Sequence, residues 1–255
     1  MKIEGCRAIV TGGSSGIGLA TAQVLIQSGA SHVGLVARTK LGEAVMDTIL
    51  VCVDVPGPVA PRLVRLPCDV RDIEQLQSAF SEFVNVADGL DVLVNCAGVM
   101  LDGAMYTPKT RYSIEDWDTI IDTNLRGTFL CSQLAVEAMF KRRIHGVIVN
   151  MSSVSRRGRA GQVAYSASKG GISSMTAAMA QELAAYKIRC VAIAPGLIDT
   201  PMAAQVPESH REEIRKATAV HRLGKAEEVA ATVLHCIEND FLNGCTIDVD
   251  GGFAG

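Results

Sequence analysis

The sequence predicts a single doubly wound α/β domain over 1–255, with a parallel sheet of about seven strands and helices on both faces. Three observations predict it. Strand-like and helix-like segments alternate along the chain. No linker and no internal repeat divides the 255 residues, a length that an open α/β fold takes as one domain. A glycine-rich turn, Thr11-Gly12-Gly13-Ser14-Ser15-Gly16-Ile17-Gly18, follows the first strand-like run.

The elements follow in order. Residues 7–11 give the first strand and 16–28 the next helix, which Gly29 stops. Residues 32–37 form the second strand and 41–50 a short helix. Three prolines between 53 and 61, namely Pro56, Pro58 and Pro61, predict a surface loop. Residues 63–66 make the third strand, ending at Pro67-Cys68-Asp69. Residues 72–86 have helical periodicity, with Ile73, Leu76, Phe80 and Phe83 on one side. A short buried strand at 91–95 leads to a polar loop at 99–113. Residues 114–143 read as helix with a break near Asn124, 147–151 as strand, and 162–186 as a long helix rich in Ala, Ser and Gly. The strand at 188–194 stops at Pro195-Gly196. Helical segments at 208–217 and 226–238 precede a last strand at 246–249.

Composition excludes several classes. Hydrophobic residues make 48% and charged residues 20% of the chain, which fits a globular protein and not a disordered one. Lys and Arg number 24 against 27 Asp and Glu, a net −3, so there is no electrostatic reason to expect nucleic acid. No apolar run reaches the roughly 18 residues of a membrane span, and no secretory signal is visible. The eight cysteines (6, 52, 68, 96, 131, 190, 236, 245) form no C-x-x-C pair and read as buried hydrophobes of a reducing compartment, the cytoplasm. The five histidines are scattered, so no metal site is expected.

Glycines between a strand and a helix let the backbone turn sharply and approach a pyrophosphate, which the helix N-terminus attracts. The spacing here is G-x-x-x-G-x-G rather than G-x-G-x-x-G, and it is the turn's place between the first strand and the first helix that points to a Rossmann-type domain. The second strand ends Val36-Ala37-Arg38 with no acid, so Arg38 can clamp a 2′-phosphate with its planar fork. That favours NADP, with NAD as the alternative. Ser15 stands against it, since NADP users often carry a basic residue there. Asp69, after the third strand, can meet the adenine amino group, while Asp72 suits the N-cap of the next helix.

Tyr165 and Lys169 lie one turn apart on one helix face. A nearby ammonium favours phenolate and lowers a tyrosine pKa towards neutrality. Such a tyrosine can give a proton to a ketone oxygen, or take one from an alcohol, as hydride moves at the adjoining carbon. Ser152-Ser153 closes the preceding strand, and Asn124 lies in a helix expected to pack nearby.

These motifs, with Asn95-Cys96-Ala97-Gly98 and Pro195-Gly196 through Thr200, resemble the short-chain dehydrogenase/reductase family from Arg7 to Gly252. The resemblance implies that Tyr165 is the acid/base, that Lys169 lowers its pKa and holds the nicotinamide ribose, and that Ser153 bonds the substrate oxygen. Counting thirteen residues back from Tyr165 gives Ser152, but strand register favours Ser153. Asn124 would anchor a water. Gly12, Ser14, Ser15, Gly16, Ile17, Gly18, Arg38, Asp69, Val70, Asn95, Ala97 and Gly98 would line the cofactor path. Pro195, Gly196, Ile198 and Thr200 would hold the carboxamide side of the nicotinamide.

Within the family, Asn239 to Gly244, the enlarged loop with Tyr106, and Tyr165 to Gly171 look like 3-hydroxyacyl-CoA dehydrogenase type 2. The 3-oxoacyl-acyl-carrier-protein reductases are similar too. The implied activity is interconversion of a secondary alcohol and a ketone, on a 3-hydroxyacyl or 3-oxoacyl thioester first and a steroid or other cyclic alcohol second. A non-catalytic dinucleotide-binding scaffold is the reading from another class. The Lys141-Arg142-Arg143 run suits a helix C-terminus, so the expected partner is a small-molecule substrate. The helices at 127–140 and 162–186 are apolar around much of their circumference, and the resemblance implies that they build a homotetramer.

Overall fold

Runs such as Val147-Ile148-Val149 have no polar face, so strands built from them must be covered on both sides. The computed structural model describes residues 1–38 and 62–253. The helix expected at 41–50 and the proline loop at 53–61 lie outside the described residues. The strands are β1 Arg7–Thr11, β2 His32–Ala37, β3 Arg62–Pro67, β4 Val92–Asn95, β5 Val147–Met151, β6 Arg189–Pro195, β7 Ile198–Asp199, β8 Gly224–Lys225 and β9 Thr246–Val249. Seven of them form one parallel sheet in the order β3-β2-β1-β4-β5-β6-β9. Strand order reverses at β1 and β4, where Thr11 pairs with Asn95, and this opens a crevice at the carboxyl ends. The small β7–β8 pair was not foreseen.

The helices are α1 Gly16–Gln27, α2 Ile73–Ala87, α3 Ile114–Ile120, α4 Gly127–Lys141, α5 Val163–Glu182, α6 Glu208–Ala217 and α7 Ala226–Glu238. Two-residue alternation splits the core. Val10, Val33 and Leu35 pack with Leu25 of α1 and Val233 of α7. Ile9, Val36 and Leu93 face Phe83 of α2 and Met139 of α4. Asp72 caps α2 by accepting from the main-chain N–H of Glu74 and Gln75. The break expected near Asn124 is a π-helical segment, Ile121–Arg126, that joins α3 to α4. The long helix expected to reach residue 186 ends at Glu182 and gives way to a 3₁₀ turn at Ala184–Tyr186.

The C-terminus of α7 leaves carbonyls with no helical partner. Arg189 collects two of them and ties down the loop beyond: its guanidinium donates to the carbonyls of Cys236 (2.9 Å) and Ile237 (2.7 Å) in α7 and of Leu242 (2.9 Å) after it. Arg189→Leu keeps apolar bulk and strands all three. We expect it to cost about 2–4 kcal/mol of stability, read as a lower urea midpoint at constant m. An unchanged midpoint would show that water replaces the guanidinium.

Candidate active site and cofactor cleft

Three backbones converge where β1 ends. Gly12 adopts φ +67°, and a Cβ there would sit 2.9 Å from the Ala97 nitrogen. A Cβ on Gly18 would overlap the Gly12 carbonyl oxygen. Only glycines let β1, the first turn of α1 and the residues after β4 approach this closely. The Thr11 hydroxyl holds the third by accepting from the Ala97 N–H at 3.1 Å. At the start of α1, Ser15 makes no side-chain cap bond, so the first-turn N–H groups have no side-chain acceptor from it.

A cavity of about 290 Å³ lies against this turn. Its wall includes Gly12, Ser14, Ser15, Gly16, Ile17, Gly18, Arg38, Asp69, Val70, Ala97, Gly98 and Thr200. Arg38 stands exposed at the end of β2. The Asp69 carboxylate is held by Arg71, whose Nη2 lies 2.7 Å away, and this bond keeps its pKa below the usual range. Val36, Cys68, Cys96, Val99, Thr123 and Met202 also line the cavity; Cys96 lies inside the Asn95-Cys96-Ala97-Gly98 motif and Val36 just before Arg38, while no motif marks Cys68, Val99, Thr123 or Met202.

A second cavity, of about 410 Å³, shares Ile17, Cys96, Gly98, Thr200 and Met202 with the first. Ser153, Tyr165, Lys169, Pro195, Gly196 and Ile198 line it. Ser152 and Ser153, the two residues after β5, both line this cavity, but their hydroxyls have different partners. The Ser152 hydroxyl is buried against α5, donating to the Lys169 carbonyl at 2.8 Å. The Ser153 hydroxyl lies in the cavity, accepts from the Ser155 N–H at 3.1 Å and bonds Tyr165. Lys169 Nζ donates to the Met151 carbonyl at 2.7 Å and sits 5.6 Å from the centre of the Tyr165 ring.

Two expected residues stand apart from the cavity walls. Asn95 is buried in the core, where its amide donates to Asn150 Oδ1 (2.9 Å) and Ser132 Oγ (3.1 Å). It lines neither cavity, because the register at the end of β4 places its side chain beside Asn150 of β5. Asn124 is fully buried in the π segment, accepting from the Val99 N–H (2.8 Å) and donating to the Val99 carbonyl (2.9 Å). Residues missed in the sequence roof the second cavity. Gln162 donates to Asp102 Oδ1 (3.1 Å) and accepts from Ser155 (2.9 Å), while the Gly103 N–H bonds the Gly161 carbonyl (2.8 Å). The available signal was a polar Gln162 three positions before Tyr165 on one helix face.

The charge states differ from the expectation that Lys169 draws the phenol towards neutrality. Burial dominates and pushes Tyr165 up to about 12, with the Ser153 bond pulling down and the Asp102 carboxylate pushing up. Burial pushes Lys169 down to about 8. Among the described residues, no cluster of His, Cys, Asp and Glu could hold a metal.

A family model described as enoyl-(acyl carrier protein) reductase matches residues 12–254. The 3-oxoacyl-acyl-carrier-protein reductase FabG of Thermotoga maritima is 38% identical over 99% of this chain and 99% of its own length. Human 3-hydroxyacyl-CoA dehydrogenase type-2 is 37% identical over 98% of this chain and 95% of its own. The chain belongs to the short-chain dehydrogenase/reductase family. A mutant family member from Serratia marcescens shares the fold with a TM-score of 0.87 at 28% identity, over 100% of both chains. As a member, this chain is an NAD(P)-dependent oxidoreductase that interconverts a secondary alcohol and a ketone. No helix among the described residues is long and apolar enough to cross a membrane.

The Lys169 environment has a thermodynamic signature. Between about pH 8 and the ordinary 10.5, the unfolded chain holds a proton that the folded chain has released, so stability rises with pH across that window. Below it, the cost of the buried ammonium is fully present. Lys169→Met removes the slope. The difference in urea midpoint should therefore shift in favour of the unmodified enzyme from about pH 7.5 to 9.5. Equal slopes in both proteins would place the ammonium in solvent.

Proposed function

We propose that this chain, acting as one domain over 1–255, interconverts 3-hydroxyacyl and 3-oxoacyl thioesters and prefers NADP. One observation carries the chemistry: the Ser153 hydroxyl and the Tyr165 phenol share a cavity that borders the glycine-lined cleft. The thioester follows from the names of the two relatives, both of which act on acyl carriers. The cleft fits a dinucleotide on its own terms, since only glycine is accommodated where a pyrophosphate must approach, and helical N–H groups meet it there. When bound, the nicotinamide supplies or accepts the hydride.

The chain's own residues manage the proton and the geometry. Ser153 holds the substrate oxygen by a hydrogen bond. Tyr165 gives that oxygen its proton during reduction and takes it back during oxidation. A phenol raised to about 12 stays protonated at neutral pH, which suits the donating role. Lys169, bonded to Met151 and near the Tyr165 ring, would hold the nicotinamide ribose. Asn124 fixes the Val99 backbone beside the cavities, and its part in proton relay would run through a water held next to that backbone rather than through its own buried amide. Pro195, Gly196, Ile198 and Thr200, which line the cavities, would hold the carboxamide side, and Asp69 and Val70 would meet the adenine. The asparagine that the family places at the end of the fourth strand, Asn95, acts through the core.

Assembly as a cytoplasmic homotetramer belongs to this reading. Phe129 and Phe140 on α4 and Val163 on α5 are exposed, and helices with apolar residues outside as well as inside suit an interface. Light scattering should give four times the 27.0 kDa chain mass. A stable monomer at micromolar concentration would contradict it.

Tyr165→Phe should lower kcat by at least about a thousandfold while the cofactor Kd stays within about threefold. Retention of a tenth of the original turnover would remove Tyr165 from the acid/base role.

Arg38 reads the cofactor. A charge-assisted bond to a 2′-phosphate is worth about 1.5–3 kcal/mol, roughly a ten- to hundredfold preference for NADPH over NADH. Arg38→Ala should erase that preference in measured Kd values. Tighter NADH binding by the unmodified enzyme would leave Arg38 as a solvated residue.

A further inference from the structure

Beyond Ser153 and Tyr165, the active-site cavity shares a wall with another cavity, of about 280 Å³. Val154, Ser155, Arg159, Glu213 and Ile214 belong to both. The outer cavity adds Gly158, Ala217 and Phe253, so apolar side chains surround one guanidinium and one carboxylate, those of Arg159 and Glu213. The carbon of that guanidinium lies 5.9 Å from the centre of the Phe253 ring, within cation–π range. The Arg159 N–H is also fixed, donating to Ser166 Oγ at 3.2 Å.

Arg159 differs from its neighbours. Arg156 and Arg157 both bind Asp248, at 2.6 and 2.7 Å. Arg159 forms no ion pair among the described residues, although the Glu213 carboxylate shares both cavity walls. An exposed arginine, steadied on an aromatic ring and without a carboxylate partner, presents its planar fork outward. That fork matches phosphate geometry.

We propose that Arg159 binds the phosphate of a 4′-phosphopantetheine arm, which makes the substrate a phosphopantetheine thioester. The proposal rests on the thioester reading above. The reacting carbonyl must lie at Ser153 and Tyr165. The long thioester substituent then leaves past the shared wall, and its uncharged stretch suits Val154, Ile214 and Phe253. The phosphate is the first charge along that arm. An apolar acyl tail would have no use for the guanidinium. Glu213 opposes the anion and tempers the affinity.

The test uses the full-length enzyme with three acetoacetyl thioesters: pantetheine, 4′-phosphopantetheine and coenzyme A. Arg159→Gln should raise KM about tenfold for the last two, leave kcat within about twofold, and leave both constants unchanged for acetoacetyl-pantetheine. Arg159→Lys should restore part of the loss, and Glu213→Gln should lower KM for the two phosphorylated substrates. Equal effects on all three thioesters, or none, would overturn the assignment. An effect confined to coenzyme A would move the contact to the nucleotide phosphates and also overturn it. If the unmodified enzyme turns over none of the three while reducing other ketones, the thioester reading fails and takes this one with it.

Discussion

A buried polar ladder holds the sheet and the two helices α4 and α5 in register. Asn95 of β4 donates to Asn150 of β5, and Asn150 donates to Thr176 of α5 at 2.9 Å. From the same amide group, Asn95 reaches Ser132 of α4, and Ser132 and Thr128 carry the connection back along α4 to the Asn124 carbonyl. Apolar packing alone tolerates small slips, whereas each of these groups costs about 1–3 kcal/mol if left unpaired in the interior. The ladder therefore fixes where α4 and α5 sit along β4 and β5. Tyr165 and Asn124 inherit their positions from it.

The junction of β5 and α5 adds a reciprocal clasp. Ser152 donates to the Lys169 carbonyl while Lys169 Nζ donates to the Met151 carbonyl. The serine next to Ser153 thus locks the helix that carries Tyr165. An ammonium enclosed this way sits at an unfavourable charge state, with its pKa drawn down to about 8. Packing that excludes water, which strengthens electrostatics in the cavity, is also what makes the lysine costly to hold.

Much of this was legible in the sequence because it is local. Alternating apolar runs gave the seven-strand sheet, Gly29 and Asp72 marked helix ends, and the glycine turn lay where the crevice opens. The break near Asn124 could be seen, though not its π geometry. What escaped depends on contacts distant in sequence. The side chain of Asn95 belongs to the ladder because β5 lies beside it, and no spacing within β4 reveals that. The roof made by Asp102 and Gln162 joins residues 60 positions apart. The Tyr165 pKa followed from burial, which a helical wheel does not contain, so the i and i+4 pairing with Lys169 suggested the wrong sign.

The π segment between α3 and α4 amounts to one extra residue stored inside a helix. At 3.6 residues per turn, each residue rotates an α-helix by about 100°. Excising a single residue from 121–126 and letting the helix heal would turn everything on one side of the cut by that angle relative to the other. The Asn124 amide could then no longer meet the Val99 backbone while the Thr128 and Ser132 hydroxyls kept their places in the core. The bulge works as a phase shifter: it lets one rod answer to the core along α4 and to the cleft at Asn124, two directions that an unbroken helical repeat does not serve together.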